Sequence, residues 1–144
     1  MRVMYDVQLI ARYVINRCAQ KERPISNLKL QKILYFIQAE FLVGMDKACF
    51  DDNIEAWTYG PVVPSVYFEY RIFGSTNIPD QGDDGFESIS RQDKGRLDAI
   101  IDAAAKYSAS SLVEITHRQS PWKNAYRRND NVIKQSEIKE YFAS

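Results

Sequence analysis

The run Ile54-Glu55-Ala56-Trp57-Thr58-Tyr59-Gly60-Pro61-Val62-Val63-Pro64 constrains this chain more than any other stretch. A short apolar, strand-like segment leads into an aromatic pair, then into a turn held by one glycine and two prolines. Proline fixes its own φ and pushes the residue before it out of the helical region. Gly60 and Val63 are therefore extended or turn-like, and the next helix starts no earlier than about Pro64, a residue suited to the first helical position. The outcome is a rigid, aromatic-lined corner that ordinary packing does not require. That corner carries no acid, base or nucleophile.

The segments on either side read as helices. Val3, Val7, Ile10, Ala11, Val14, Ile15 and Cys18 form one helical stripe, and Pro24 closes the segment or lies just past its end. A second helix is expected from about Asn27, capped by Ser26 or Asn27 and stopping near Gly44. Its apolar face (Leu30, Ile33, Leu34, Ile37 and Phe41, widened by Leu28, Tyr35 and Leu42) is broad enough for the central element of the core. Ile54, Ala56 and Thr58 alternate with Glu55 and Trp57 as in a short strand. Val66, Tyr67, Tyr70 and Phe73 then mark a third helix that ends before Gly74. Residues 75–89 turn polar and acidic, a loop and the expected mobile part of the molecule. Ser90 with Asp93, and Ser111 with Glu114, have capping-box spacing. Ser120-Pro121 opens another short helix, and Ile138, Tyr141 and Phe142 occupy a last one. The expected fold is mainly α, a compact single-domain bundle of about six to seven helices with a minor β element, spanning 1–144 as one domain.

Composition excludes several classes of function. No apolar run approaches the ~20 residues of a membrane span, and Arg2, Asp6 and Arg12 break any leader-like pattern, so a cytoplasmic protein is expected. Cys18 and Cys49 are too few for a disulfide framework. Together with His117 they lack metal-ligand spacing, so no metal and no cofactor is expected. The net charge of zero argues against DNA as a partner. Charge is nevertheless uneven. Residues 1–32 carry seven basic side chains, Lys32 among them, against two acids, a balance of +5. Residues 46–87 carry nine acids against Lys47 and Arg71, a balance of −7. These read as two solvated surfaces of opposite sign, or as a face that steers a charged partner.

No catalytic constellation stands out. His117 is the single histidine, with no neighbouring nucleophile at a strained turn, and reads as a helix-end residue packed beside Trp122 with a local hydrogen bond. The glycines match no phosphate-binding loop. Asp80, Asp83 and Asp84 lack the final glutamate of a calcium loop. The aromatics are denser: Trp57, Tyr59, Tyr67, Phe68, Tyr70 and Phe73 crowd one short region. Tyr67, Tyr70 and Phe73 are expected in the core, Phe68 lies off their stripe, and Trp57 and Tyr59 fit core lining and interaction surface equally.

Three separated motifs, in order, resemble a known family. Leu28-Lys29-Leu30-Gln31-Lys32-Ile33-Leu34-Tyr35, then Ile54 through Pro64 with Tyr67 and Phe73-Gly74, then Leu112 through His117 with Pro121-Trp122 and Ala125, are similar to the Panacea domain. This is the SocA-like antitoxin family, which includes phage-associated proteins. The resemblance runs from the first helix to Tyr141-Phe142. It implies a mostly helical, non-enzymatic antitoxin of a type II toxin–antitoxin system, which binds a cognate protein toxin encoded by an adjacent gene. It also implies two alternatives: an adaptor that delivers its toxin to a cellular protease, and a phage-associated regulatory protein. With a chain close to the bare domain, no dedicated DNA-binding segment is expected. The residues singled out for toxin contact or for the family motif are Trp57, Tyr59, Gly60, Pro61, Pro64, Phe68, His117 and Trp122, with specificity expected at exposed positions instead of in the corner itself.

Overall fold

The computed structural model describes residues 4–144. Val3, placed in the first stripe, and Arg2, placed in the basic count, lie outside the described residues. Asp6 caps α1 (Val7–Gln20) by accepting from Gln8 N at 2.9 Å. Ser26 caps α2 (Asn27–Gly44), so the cap expected at 26 or 27 falls on Ser26, whose hydroxyl can accept from the free amides of the first turn. The stripe of α1 and two sides of α2 are buried together, with Leu30, Ile33, Leu34, Tyr35, Ile37 and Phe41 sealed from solvent. Helix α2 packs against α1, α4, α5 and α7, as its broad apolar face requires.

Strand β1 (Ile54–Trp57) lies between β2 (Gly60–Val62) and β3 (Val132–Ile133), antiparallel to both. Ile54 and Ala56 face inward while Glu55 and Trp57 are half-buried. Thr58 falls outside the strand and is exposed, because the chain has already begun to turn there. The segment of β3 has no stripe or alternation long enough to mark it in the sequence. Helix α3 (Pro64–Tyr70) starts at Pro64 as expected, and its last turn tightens to a 3-10 turn over Arg71–Phe73. Gly74, at φ 55, ends it. Val66 and Tyr70 are core, but Tyr67 and Phe73 are half-buried, because a helix this short presents only one turn to α1 and α2.

Residues 75–89 are strapped to α1 and to the start of α2. Ile78 is buried and its N–H donates to Ile25 O at 2.8 Å, Gln81 N donates to Asn16 Oδ1 at 2.8 Å, and Arg12 Nη2 donates to Asp84 O at 3.0 Å. Helix α4 (Arg91–Ala105) is capped by Ser90 as expected. Helix α5 (Ala109–His117) differs: its cap is Ser108, whose Oγ accepts from Ser111 N at 3.1 Å. Starting the helix three residues earlier completes a full turn before Leu112, which is buried. Helices α6 (Ser120–Tyr126) and α7 (Gln135–Ala143) complete the layer over α2 and the sheet. The protein is mainly α with a minor β element. No helix among the described residues is long and apolar enough to cross a membrane.

Candidate functional site

The hairpin joins Trp57 to Gly60 through Thr58 and Tyr59. Neither turn residue has positive φ, so the left-handed conformation falls on Gly60 at φ 106. A side chain there is strained by the backbone alone. It also has no room, since a Cβ on Gly60 would lie 2.5 Å from Lys32 Cε and 3.1 Å from Thr116 Oγ1.

Lys32 is the unexpected member of this site. The sequence placed it in a basic surface; the structure seals it at 0% exposure, with Nζ donating to Pro61 O at 2.9 Å. No carboxylate pairs with it among the described residues. Burial alone pushes its ammonium down to about 7, because desolvation penalises the charged form. Next to it on α2, Gln31 Oε1 accepts from Val63 N at 2.9 Å, while its Nε2 donates to Asn27 Oδ1. Asn27 Nδ2 in turn donates to Tyr67 O at 3.1 Å. Two polar side chains and one lysine on the central helix thus fix the β2–α3 corner, in which Pro61 is buried and Pro64 half-buried.

On this support the aromatics gather in two groups. Trp57 packs edge-on against Tyr67 (ring centroids 5.0 Å apart) and beside Phe68 (6.2 Å), and its Nε1 donates to Glu55 Oε1 at 2.9 Å. Trp122 stacks on Tyr126 at 4.6 Å and on His117 at 4.1 Å. The groups join where Trp122 Nε1 donates to Trp57 O at 2.9 Å. His117 packs beside Trp122 as expected, but its buried Nε2 finds no hydrogen-bond partner among the described residues. Of the pair left open between core and surface, Tyr59 is 66% exposed and Trp57 half-buried, and Phe68, off the buried stripe, is 51% exposed; Trp122 is half-buried.

Between hairpin, α3 and α6 runs a groove of about 870 Å³, walled by Trp57, Tyr59, Tyr67 and Tyr126, floored by Gln31 and Val62. Arg71 is the one charged residue along its lining. Such a groove suits apolar and aromatic side chains of a partner, with the amides and hydroxyls of Asn27, Thr58 and Asn131 at its ends. Among the described residues no three His, Cys, Asp or Glu side chains gather to hold a metal.

The family described as "Antitoxin SocA-like, Panacea domain" matches residues 30–123. The chain belongs to this family. Among curated proteins, Antitoxin SocA of Caulobacter vibrioides (strain NA1000 / CB15N) is 30% identical over 136 residues, which cover 81% of this chain and 68% of that protein. No solved structure matches. The Panacea match takes in most of α2 with Gln31 and Lys32, the hairpin, α3, α4, α5 and Trp122, while Asn27, Tyr126 and Asn131 lie outside it.

Four contributors to the site were not singled out in the sequence: Lys32, Gln31, Tyr126 and Asn131. The first two had a signal. They are polar residues on a helix with a broad apolar face, where a covered polar side chain needs a partner, but the pattern does not say which polar positions are covered, since Lys29 on the same helix is half-buried and Glu40 exposed. Tyr126 and Asn131 had none, because only the packing of α6 and β3 onto β1 brings them to the hairpin.

Proposed function

We propose that this chain is an antitoxin of a type II toxin–antitoxin system that holds a cognate protein toxin, encoded beside it, by direct contact through the aromatic groove. One observation carries the placement. Of the eight large hydrophobic side chains exposed among the described residues, Tyr59, Phe68, Ile72 and Tyr126 all belong to the groove or its α3 flank. Concentrated exposed aromatics mark interaction surfaces, and an interface of about 800 Å² per partner fits within a protein of this size. The reading treats residues 1–144 as one domain acting in the cytoplasm, and it involves no turnover, membrane or DNA.

The test is growth of bacteria in which the neighbouring reading frame is induced, with and without this chain. Relief of arrest is the expected result, and arrest that persists would overturn the reading. The double variant Tyr59→Ala/Phe68→Ala should keep its circular dichroism spectrum and lose the relief. A toxin half-life unchanged during relief marks blocking; a shortened one marks delivery to a protease.

A further inference from the structure

Along residues 51–74, which carry β1, the hairpin and α3 beside the groove, four acids stand against one base. Asp52 stands at the entry to α3, its Oδ2 accepting from Ser65 Oγ at 2.8 Å. Glu55 accepts from the Trp57 indole on β1, Glu69 follows Phe68 on the outer side of α3, and Asp51 precedes Asp52 in the loop. None of these four carboxylates forms an ion pair among the described residues. Elsewhere some acids are matched, Asp98 and Asp102 to Arg17, Glu137 to Arg128, Glu114 to Arg118 and Asp46 to Lys139, while others, Glu40, Asp83 and Glu87 among them, stand exposed without an ion pair among the described residues. The cation on the α3 side is Arg71, whose guanidinium carbon lies 5.4 Å from the centroid of the Phe68 ring, while Lys123 and Arg127 are exposed at the α6 side, close to Tyr126 in sequence. An aromatic face here already carries a guanidinium, with carboxylates beside it. One turn further along, Ile72 is 84% exposed, a large aliphatic side chain with no cover.

We infer that the groove and the outer face of α3 receive a cationic segment of the partner protein. An Arg- or Lys-bearing stretch would set its charge against Asp52, Glu55 and Glu69. An apolar residue of the same stretch would seat between Tyr59, Phe68 and Ile72. Charge complementarity of this kind steers association and selects partners, and a cation over Trp or Tyr adds attraction that neither charge nor apolar area supplies alone. The sign of the patch rejects a nucleic-acid backbone. The inference deepens the antitoxin reading and rests on it: it assigns the toxin's contact surface a basic character.

The experiment uses the full chain and, as probe, the purified product of the neighbouring reading frame. Affinity is measured between about 50 and 500 mM NaCl, a range over which screening lengths shrink severalfold. Wild-type affinity should fall as salt rises. Asp52→Asn/Glu55→Gln/Glu69→Gln keeps the acceptor oxygens used by Ser65 and Trp57 while removing three charges. It should bind about tenfold or more weakly at low salt and lose most of the salt dependence. The control Glu40→Gln/Glu87→Gln/Glu140→Gln removes the same charge elsewhere and should bind as wild type. Phe68→Ala should weaken binding at every salt concentration. Wild-type binding by the first triple variant would overturn the cationic segment and leave the antitoxin reading standing. Failure of the wild type to bind the probe or to relieve arrest would overturn both.

Discussion

Lys32 and Gly60 meet face to face, and each explains the other. The lysine stem fills the space where a Cβ on Gly60 would stand, so the glycine is required both for its φ of 106 and for this contact. Gly60→Val should cost about 2–5 kcal/mol, strain and overpacking together, measured by urea unfolding. An unchanged midpoint would show that the corner relaxes around the new side chain. Lys32 makes stability depend on pH. Its amine is held down to about 7 in the folded chain against 10.5 when free. Below pH 7 both states are protonated and the cost of the buried charge is present in full. Between pH 7 and 10.5 the unfolded chain holds the proton that the folded chain has released, so stability rises with pH. Lys32→Met should flatten that rise in thermal unfolding at pH 7–10, and equal slopes for both proteins would contradict the assignment. Both residues were visible in the sequence, Gly60 as a required turn residue and Lys32 as a surface charge. The second reading failed because a charge count knows nothing of burial.

At the level of elements, the cap of α5 and the tether of α6 decide how the hairpin is held. Ser111 has the spacing of a capping box, yet Ser108 caps the helix. Three serines at 108, 110 and 111 offer competing caps, and the need to bury Leu112 and Thr116 on α5 against α2 and β2 selects among them. Ser108→Ala should therefore destabilise by about 1 kcal/mol and Ser111→Ala by only a few tenths, as read by chemical denaturation. Trp122→Phe keeps the stack on Tyr126 and His117 but removes the bond to Trp57 O. A loss of about 1 kcal/mol is expected. Intrinsic tryptophan fluorescence should then report a more mobile Trp57.

Across the whole molecule, the basic segment of the sequence finds its ion-pair partners on α4, not in the acidic segment 46–87, of whose acids only Asp46 forms an ion pair among the described residues. The basic end of α1 meets the acidic side of α4, where Arg17 pairs with Asp102 at 2.6 Å and Lys21 joins at 3.1 Å. Arg17 holds the Asp102 carboxyl below its usual 3.8, and Arg128 holds Glu137 below 4.5. Depressed carboxyls lend stability above their unfolded values and lose it as pH falls through the folded ones. Stability should thus decline below about pH 4, by less than about 1 kcal/mol for each partly exposed pair. Asp102→Asn with Glu137→Gln should blunt that acid limb in a thermal-unfolding series. The same variants should leave the alkaline rise from Lys32 untouched.

Local rules sufficed for much of this protein. Two-sided burial of α2, the start of α3 at Pro64, the caps at Ser26 and Ser90 and the glycine at 60 follow from apolar period, fixed φ and hydrogen-bonding side chains, which act within a few residues. Two of the three motifs lie on those elements, and the third lies on α5 and α6. Tertiary structure alone decided which aromatics meet solvent, that Lys32 is sealed beneath Pro61, that β3 pairs with β1, and that the basic helix spends its charge on α4 while the acids near α3 remain unpaired. These outcomes depend on contacts between residues dozens of positions apart, and burial, desolvation and ion pairing are properties of that arrangement, which no local pattern encodes.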